Sequence, residues 1–368
     1  MTDTRLPAGL RAVPEFAELP CWPRGARLAA VRDAARQFRT RFAAQRRVLG
    51  VRSVPIGFVP YPTQYALGGA ARSLSPYVFL INRMLIVRFH DFEDRLRTLV
   101  WEPSVGDGTR RAPFYAQSLK AWYPDWFANR VLSSEYHTPV TALAQVGLGP
   151  EEVDFACFDH LHVQDPRYVI GTKEPVAGEA EARAPMLPNA VLISQRTEVD
   201  TLRDPHPMQW AWYVPGGLEA ARDDNHLLLD GSVELGPGVA LLASPGHTDG
   251  NQTLVLNTPE GIWVSSENGV SADNWQPDLS KIPGVRKHAA FMGAEVVLNG
   301  NTREDSIDQY DSMVMEKMVA EPSRRDPRWR NILPSTELAP WKRNWPVVPT
   351  FHHGGMSYGD IRDTGGKP

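Results

Sequence analysis

The stretch that decides the fold is Asp159-His160-Leu161-His162-Val163-Gln164-Asp165. It follows the apolar run Val153-Asp154-Phe155-Ala156-Cys157-Phe158, which predicts a short buried strand. In an extended segment residues i and i+2 point to the same side, so His160 and His162 can converge on one ion, and Asp165 can reach back from the turn. Neutral imidazoles and a carboxylate are ligands for Zn, Mn or Fe. Two nearby histidines also occur by chance in a chain of 368 residues, so this stretch alone leaves the metal interpretation open.

The composition is that of a globular protein, with 42% hydrophobic and 22% charged residues. The net charge is −4 with no long basic run, so we expect neither nucleic acid nor an anionic membrane as a partner. No stretch approaches the ~20 apolar residues of a membrane span, and the N-terminus shows no signal peptide. The two cysteines, Cys21 and Cys157, are too far apart in sequence to indicate a disulfide framework or a thiolate zinc site. We therefore expect a cytoplasmic protein.

Helical and strand patterns alternate along the chain, which predicts an α/β protein. The apolar spacing predicts helices over 24–48, 114–131, 141–146 and 304–320, and strands over 78–81, 84–87, 98–101, 153–158, 189–194, 239–243, 253–257, 262–265 and 347–351. The segments 166–187 and 205–217 carry little periodicity and are expected to be loops. We divide the chain into an N-terminal arm and helix, 1–49, and one domain, 50–368.

Three further stretches place a histidine or an acid after a predicted strand. They are Ser244-Pro245-Gly246-His247-Thr248, the residue Glu267, and the pair His352-His353. A single histidine at a strand end is usually a hydrogen-bonded edge residue. The joint pattern is harder to explain by chance, because five of the ten histidines fall in the opening stretch and these three.

The order of these stretches resembles the metallo-β-lactamase-fold superfamily, specifically its lactonase-like metallohydrolases. The similar segments are 147–154 leading into the first histidine pair, Pro188-Asn189-Ala190, the turn Pro245-Gly246-His247-Thr248, and His353-Gly354. The resemblance covers roughly residues 50–360. It implies a four-layer αββα sandwich, here with an N-terminal helical extension, and a site where strand ends meet at one edge of the two sheets.

The resemblance also implies a site for two divalent ions. His160, His162 and His247 would hold the first ion. Glu267 would bridge both ions where the family usually has Asp, and His353, or less readily His352, would serve the second. The family signature HxHxDH is replaced by HxHxQD, so Asp165 would take over as an oxygen ligand of the second ion. Zinc is the first expectation from the family, and an oxygen-rich second site also suits Mn or Fe.

Such a site predicts a metallohydrolase that opens an ester, lactone or amide bond of a small molecule with metal-activated water. Asp165 is the candidate catalytic group, which would orient the water or accept its proton. Trp210, Trp212 and Tyr213 are expected either to line the substrate cleft or to cover the core. The basic helix around Arg36 is a possible homodimer contact, although a solvated face is the simpler interpretation.

Two alternatives to hydrolysis stay open at the level of sequence. If the second position is empty, a histidine site with open coordination positions suits a non-haem iron oxygenase or dioxygenase. A degenerate scaffold that only binds a ligand is the third interpretation. The residues quoted above do not identify the substrate, because specificity lies in loops.

Overall fold

The structure is a computed structural model that describes residues 9–122, 134–301 and 305–362. Its strands, in chain order, are β1 Arg11–Ala12, β2 Gly50–Pro62, β3 Tyr77–His90, β4 Leu96–Trp101, β5 Ser134–Glu135, β6 Phe155–Cys157, β7 Val191–Gln195, β8 His226–Leu229, β9 Val233–Gly236, β10 Val239–Ala243, β11 Gln252–Thr258, β12 Gly261–Ser265, β13 Thr336–Leu338 and β14 Ser357–Gly359.

The helices in the same ranges are of two kinds. The α-helices are Arg24–Ala43, Thr63–Ala66, Gly106–Thr109, Pro113–Trp122, Pro139–Gln145, Arg167–Ile170, Arg196–Arg203, Ala272–Trp275, Val285–Met292 and Ser306–Val319. The short 3-10 helices are Pro14–Phe16, Pro150–Glu152, Pro277–Leu279 and Lys342–Asn344. No helix within these described ranges combines the length and the apolar character that crossing a bilayer requires.

The strands form two sheets. The smaller sheet has the order β1-β9-β10-β11-β12, and each neighbouring pair is antiparallel. The larger sheet has the order β14-β2-β3-β4-β6-β7-β8, with β13 added beside β3 and β5 beside β2. Its first strands are antiparallel, whereas β4, β6, β7 and β8 run parallel. The carboxyl ends of the parallel strands therefore meet at one edge of the larger sheet.

The two sheets pack face to face through the side chains that point inward from each strand. Val87 and Leu99 of the larger sheet share a buried cluster with Leu241 and Leu254 of the smaller one. Side chains alternate between the two faces of a strand, so the neighbouring residues of these strands point outward and pack under helices.

Helices cover both outer faces. On the smaller sheet, Phe38 of the N-terminal helix and Val314 of the helix Ser306–Val319 pack against Leu242 and Val255. On the larger sheet, the helices Pro139–Gln145, Arg167–Ile170 and Arg196–Arg203 contribute to a second outer core. The expected four-layer αββα sandwich is therefore confirmed. The N-terminal helix is part of one outer layer, while the division at residue 49/50 stays a prediction.

Most predicted elements are present, with two informative differences. The predicted strands 78–81 and 84–87 are parts of one long strand, β3, and its long partner β2 was missed because prolines interrupt the apolar pattern of β2. The strand predicted over 347–351 is wrong. There the N–H and hydroxyl groups of Thr350 donate to the buried carboxylate of Asp273, at 2.9 and 2.5 Å, so this backbone joins no sheet. The predicted helix 114–131 begins at Pro113, and its part beyond Trp122 lies outside the described residues.

Candidate metal centre

Three histidines from two loops converge at the edge of the sandwich. His160 and His162 lie in the loop after β6, and His247 lies in the loop after β10. Their ring centroids are 4.9 Å apart for His160 and His162, 4.5 Å for His160 and His247, and 5.3 Å for His162 and His247. All three side chains are buried, and one nitrogen of each lies within 4.8 Å of the others. Three convergent imidazoles are the donor set of a zinc-type centre with one open position.

A chain of hydrogen bonds fixes the orientation of His160. Its Nδ1 donates to Oδ1 of Asp159, and the hydroxyl of Ser335 donates to Oδ2 of the same carboxylate at 2.7 Å. The backbone N–H of Asp159 donates in turn to Glu102 at 2.5 Å. A carboxylate behind an imidazole selects the tautomer whose other nitrogen faces the metal and increases the basicity of that nitrogen. The arrangement therefore presents Nε2 of His160 to the centre.

The other two histidines also have partners on one side of the ring. The side-chain amide of Asn301 lies 3.3 Å from Nδ1 of His162, and the ring of His247 hydrogen-bonds to the backbone of Asn299. Nε2 of His162 is buried and has no partner among the residues that the structure describes. A buried polar atom without a partner costs free energy unless a ligand satisfies it. A metal ion at the centre of the three rings would satisfy it, so the residues fit the ion that the resemblance implies.

The carboxylate of Glu198 connects the two histidine-bearing loops. One oxygen accepts from the backbone N–H of Leu161 at 2.7 Å and from the hydroxyl of Tyr213 at 3.1 Å. The other oxygen accepts from the hydroxyl of Thr248 at 2.5 Å. Leu161 lies between two of the histidines and Thr248 follows the third. The loops can approach Glu198 so closely only because residue 250 is Gly, where a Cβ would lie 2.2 Å from the Glu198 nitrogen.

The three histidine rings differ in their pKa values. Burial lowers the pKa of His160, but the adjacent Asp159 carboxylate outweighs burial and raises it to about 9. Burial and the charge on His160 hold the pKa values of His162 and His247 well below the usual value. Those two rings are therefore neutral at physiological pH, which is the state that binds a metal. An ion would displace the proton of His160 and keep the positive charge next to Asp159.

Glu267 lies beside this cluster, as the sequence predicted. It follows β12, and a carboxylate oxygen comes within 4.8 Å of ligand atoms of Asp159 and His160. The hydroxyl of Thr336 donates to its Oε2 at 3.0 Å. Burial raises the pKa of Glu267 to about 7, although the charge on His160 opposes this effect. Glu267 is the one carboxylate of the predicted ligand set that the structure brings to the histidines.

The structure does not bring Asp165 to the centre, and its expected role needs correction. Both carboxylate oxygens accept from the guanidinium of Arg167, each at 2.8 Å. Arg111 and Arg183 each place a guanidinium nitrogen 3.6 Å from Oδ2 of the same carboxylate. Three arginines therefore surround a fully buried carboxylate, which belongs to no set of three potential ligands among the described residues. Asp165 stabilises its loop and is neither a metal ligand nor the catalytic group in this geometry.

His353 and His352 also lie apart from the centre, which corrects their expected role. The ring of His353 packs on Trp263 at 4.6 Å, and its Nε2 hydrogen-bonds to the carbonyl of Arg330 at 2.9 Å. The carbonyl of His352 accepts from Arg325 at 2.9 Å. In the described ranges neither histidine belongs to a set of three potential ligands. The C-terminal His-Gly is therefore a packing feature of the segment that follows residue 350.

The histidines lie at the floor of a cavity of about 120 Å³. Its walls are mainly apolar and aromatic, contributed by Ile56, Phe58, Val59, Tyr61, Leu80, Tyr115, Val163 and Trp212. One water needs roughly 10–15 Å³ of such space, so the cavity can hold several waters or a small organic group. An apolar pocket with a few converging polar groups is the usual form of a small-molecule site.

The aromatic residues that the sequence singled out have three different positions. Trp212 lines the cavity and stacks on Phe114 at 4.2 Å. Tyr213 packs against His162, with ring centroids 4.7 Å apart, and its hydroxyl donates to the carboxylate of Glu198. Trp210 is 45% exposed and does not line the cavity.

Sequence reasoning missed several residues of this site. Asp159 could have been found, because it immediately precedes a predicted ligand. Glu198, Asn301 and Thr336 carry no local signal, since each reaches the centre from an element far away in sequence. Their part in the site becomes visible only when the two sheets are assembled.

Comparison with known proteins gives partial and distant similarities. No family model matches the chain. Over 142 residues the chain is 25% identical to an N-acyl homoserine lactonase of Bacillus cereus, which covers 38% of this chain and 48% of that protein. A second N-acyl homoserine lactonase, from a Bacillus species, matches with the same values. The chain thus spans about half the length of the curated relatives it matches.

Among solved structures, a dizinc quorum-quenching lactonase in complex with its product N-hexanoyl-L-homoserine has 12% identity and a TM-score of 0.47, covering 86% of this chain and 97% of that one. A quorum-quenching N-acyl homoserine lactone lactonase has 17% identity and a TM-score of 0.44, covering 67% and 87%. A probable metal-dependent hydrolase from Staphylococcus aureus has 13% identity and a TM-score of 0.42, covering 59% and 72%. These likenesses are distant, and nothing about substrate or metal content in this chain follows from them.

Proposed function

We propose that this chain is a metal-dependent hydrolase that opens an ester, lactone or amide bond of a small molecule. The observation that carries the proposal is the convergence of three buried histidines at the floor of an apolar cavity. The local similarity to N-acyl homoserine lactonases supports the hydrolase class. Three histidines with an open position also suit non-haem iron, and it is the similarity to lactonases that favours hydrolysis.

The three histidines would hold a divalent ion, for which zinc is the first choice because imidazole nitrogen suits it. When bound, the ion supplies Lewis-acid activation of water and of the substrate carbonyl. His160 is held in the required tautomer by Asp159, and Glu267 is the nearby carboxylate that can accept a proton from water. Burial raises the pKa of Tyr115 far above its usual value, so its hydroxyl stays protonated in the cavity wall as a hydrogen-bond donor.

The cavity walls suggest how a substrate is selected. Phe58, Leu80 and Trp212 offer apolar contact to a substituent of the substrate, and they exclude water from one side of the reacting bond. Gln164 and Ser104 add a polar strip, in which the Gln164 amide donates to the Ser104 hydroxyl at 2.9 Å. We therefore propose a substrate that combines a carbonyl next to the ion with an apolar substituent.

The test is hydrolysis of a panel of lactones, aryl esters and anilides by protein freed of metal with a chelator and then reloaded with zinc. We expect turnover only in the reloaded protein, and loss of at least about a hundredfold in His247→Ala, because one ligand is removed. His226→Gln is the matched control, since this partly buried histidine bonds to Ser194 at 3.1 Å outside the cavity. Substrate-dependent oxygen uptake by an iron-loaded protein without any hydrolysis would overturn the proposal, as would full activity of His247→Ala.

A further inference from the structure

The position beside the three histidines is lined by uncharged polar groups. Apart from Glu267, the cavity wall next to the cluster carries the amides of Gln164 and Asn301 and the hydroxyls of Ser104 and Thr336. A neutral amide or hydroxyl oxygen binds a divalent cation far more weakly than a carboxylate or an imidazole does. This composition is the opposite of what a second, closely spaced ion requires.

These groups are also engaged with one another or with the site. Gln164 donates to Ser104 at 2.9 Å, and Thr336 donates to Glu267 at 3.0 Å. The amide of Asn301 lies 3.3 Å from a ring nitrogen of His162. The wall is therefore a hydrogen-bonded polar surface in contact with one histidine of the centre.

The nearby acids are not available as extra ligands. Both oxygens of Asp159 are taken, one by His160 and the other by Ser335 at 2.7 Å. Asp165 is enclosed by arginines, with two contacts of 2.8 Å to Arg167. Across residues 9–122, 134–301 and 305–362, every set of three potential ligands includes His160. The two sets found there, His160 with His162 and His247, and His160 with Asp159 and Glu267, therefore share one histidine.

We propose that this centre holds a single divalent ion on His160, His162 and His247, and that the amides of Gln164 and Asn301 occupy the position of a second ion. The inference rests on the proposed function, because it concerns the same site. In this proposal Glu267 is a carboxylate beside a single ion. The family resemblance implies instead that Glu267 bridges two ions.

The first test measures metal directly in the full-length protein. Protein stripped with a chelator is dialysed against excess zinc and then against zinc-free buffer, its metal content is measured, and zinc is located by anomalous scattering in crystals. We expect one zinc per chain and one peak among the three histidines. Two peaks about 3.5–4 Å apart, the spacing of two-metal sites, overturn the inference while the proposed hydrolase stands. A centre that binds no zinc overturns both.

The second test builds the missing ligands. The double variant Gln164→Asp, Asn301→His supplies a carboxylate and an imidazole at the two amide positions, and we expect its zinc content to rise from one to two per chain. The two single variants are the controls and are expected to retain one zinc, since each supplies one new ligand only. Circular dichroism and the melting temperature verify folding of each variant. A folded double variant that still holds one zinc shows that the amides do not exclude the second ion, which overturns the inference.

Discussion

The hydrogen bonds of Glu198 predict that this residue positions the metal ligands without touching the metal. The informative change is Glu198→Gln, which preserves the shape and the burial of the side chain. The amide oxygen can still accept from Leu161 and Tyr213, but an NH2 group replaces the oxygen that accepts from Thr248 at 2.5 Å. The direct connection to the loop of His247 is therefore the contact that this variant breaks.

The expected losses of stability and of metal affinity in Glu198→Gln follow from the hydrogen bond that this variant loses. One buried hydrogen bond lost or reversed costs about 1–2 kcal/mol of folding free energy. Loss of a group that orients a metal ligand typically costs about 10- to 100-fold in metal affinity. That range corresponds to about 1.4–2.7 kcal/mol of binding free energy. We expect both effects in Glu198→Gln, because the same carboxylate supports the fold and orients the two loops.

The matched control is Glu316→Gln. Glu316 is also fully buried and accepts from Thr253, Asn268 and Trp275 at 2.7, 2.7 and 2.9 Å, but none of these residues adjoins a metal histidine. Zinc affinity is measured by competition with a chromophoric chelator at fixed pH, and the stability of the metal-free proteins by urea unfolding. We expect both variants to lose stability and only Glu198→Gln to lose zinc affinity.

Two outcomes would refute this reasoning. Equal zinc affinity in wild type and Glu198→Gln, with the expected loss of stability, would mean that the loops hold their positions without the connection. An equal loss of zinc affinity in both variants would mean that general destabilisation of the fold lowers the affinity. The orientation of the histidine loops by Glu198 would then have no specific effect.

Three further predictions follow from the same structure. Gly250→Ala is expected to cost about 1–3 kcal/mol or more in urea unfolding, because the new Cβ would lie 2.2 Å from backbone of the helix Arg196–Arg203. Removing zinc with a chelator is expected to lower the free energy of unfolding by about 2.7 kcal/mol when free zinc had been at 100 times its dissociation constant, and an unchanged melting temperature would contradict this. Burial raises the pKa of Asp91, but hydrogen bonds from backbone N–H groups and two arginines outweigh burial and lower it from 3.8 to about 2. Asp91→Asn should therefore be about 2 kcal/mol less stable than wild type above pH 4, and the difference should vanish as the pH falls from 4 to 2.

The layers of the fold follow from the sequence because their signals are local. The strand 239–243 and the hairpin 253–257/262–265 are correct nearly to the residue, since each is a short apolar run bounded by turn residues. The helix predicted over 304–320 is present as Ser306–Val319. β2 escapes detection because Pro55 and Pro60 break the pattern, although pairing along β3 and a bulge after Pro55 accommodate them.

For the metal centre, too, some sequence predictions were correct and others were not. His160, His162 and His247 each follow a predicted strand, and the family resemblance implied that they share one ion. Asp165 and His353 satisfy the same sequence criterion, yet their side chains lie elsewhere. The partner that decides the direction of a side chain is often distant in sequence, as Arg183 is for Asp165 and Trp263 is for His353. The pattern therefore found the loops of His160, His162 and His247, but it also selected Asp165 and the segment of His353, which are held by other contacts.

The side chains of the adjacent residues Gln164 and Asp165 have different surroundings. Gln164 lines the cavity, whereas the side chain of Asp165 is fully buried. Asp165 is two residues before Arg167, and its bidentate pairing with that buried guanidinium compensates a cation that would otherwise be strongly destabilising. A carboxylate in this position is then required by Arg167, and it is no longer free for a metal. In this structure Asp165 is therefore engaged by an ion pair inside its loop, while the neighbouring Gln164 lies at the cavity wall.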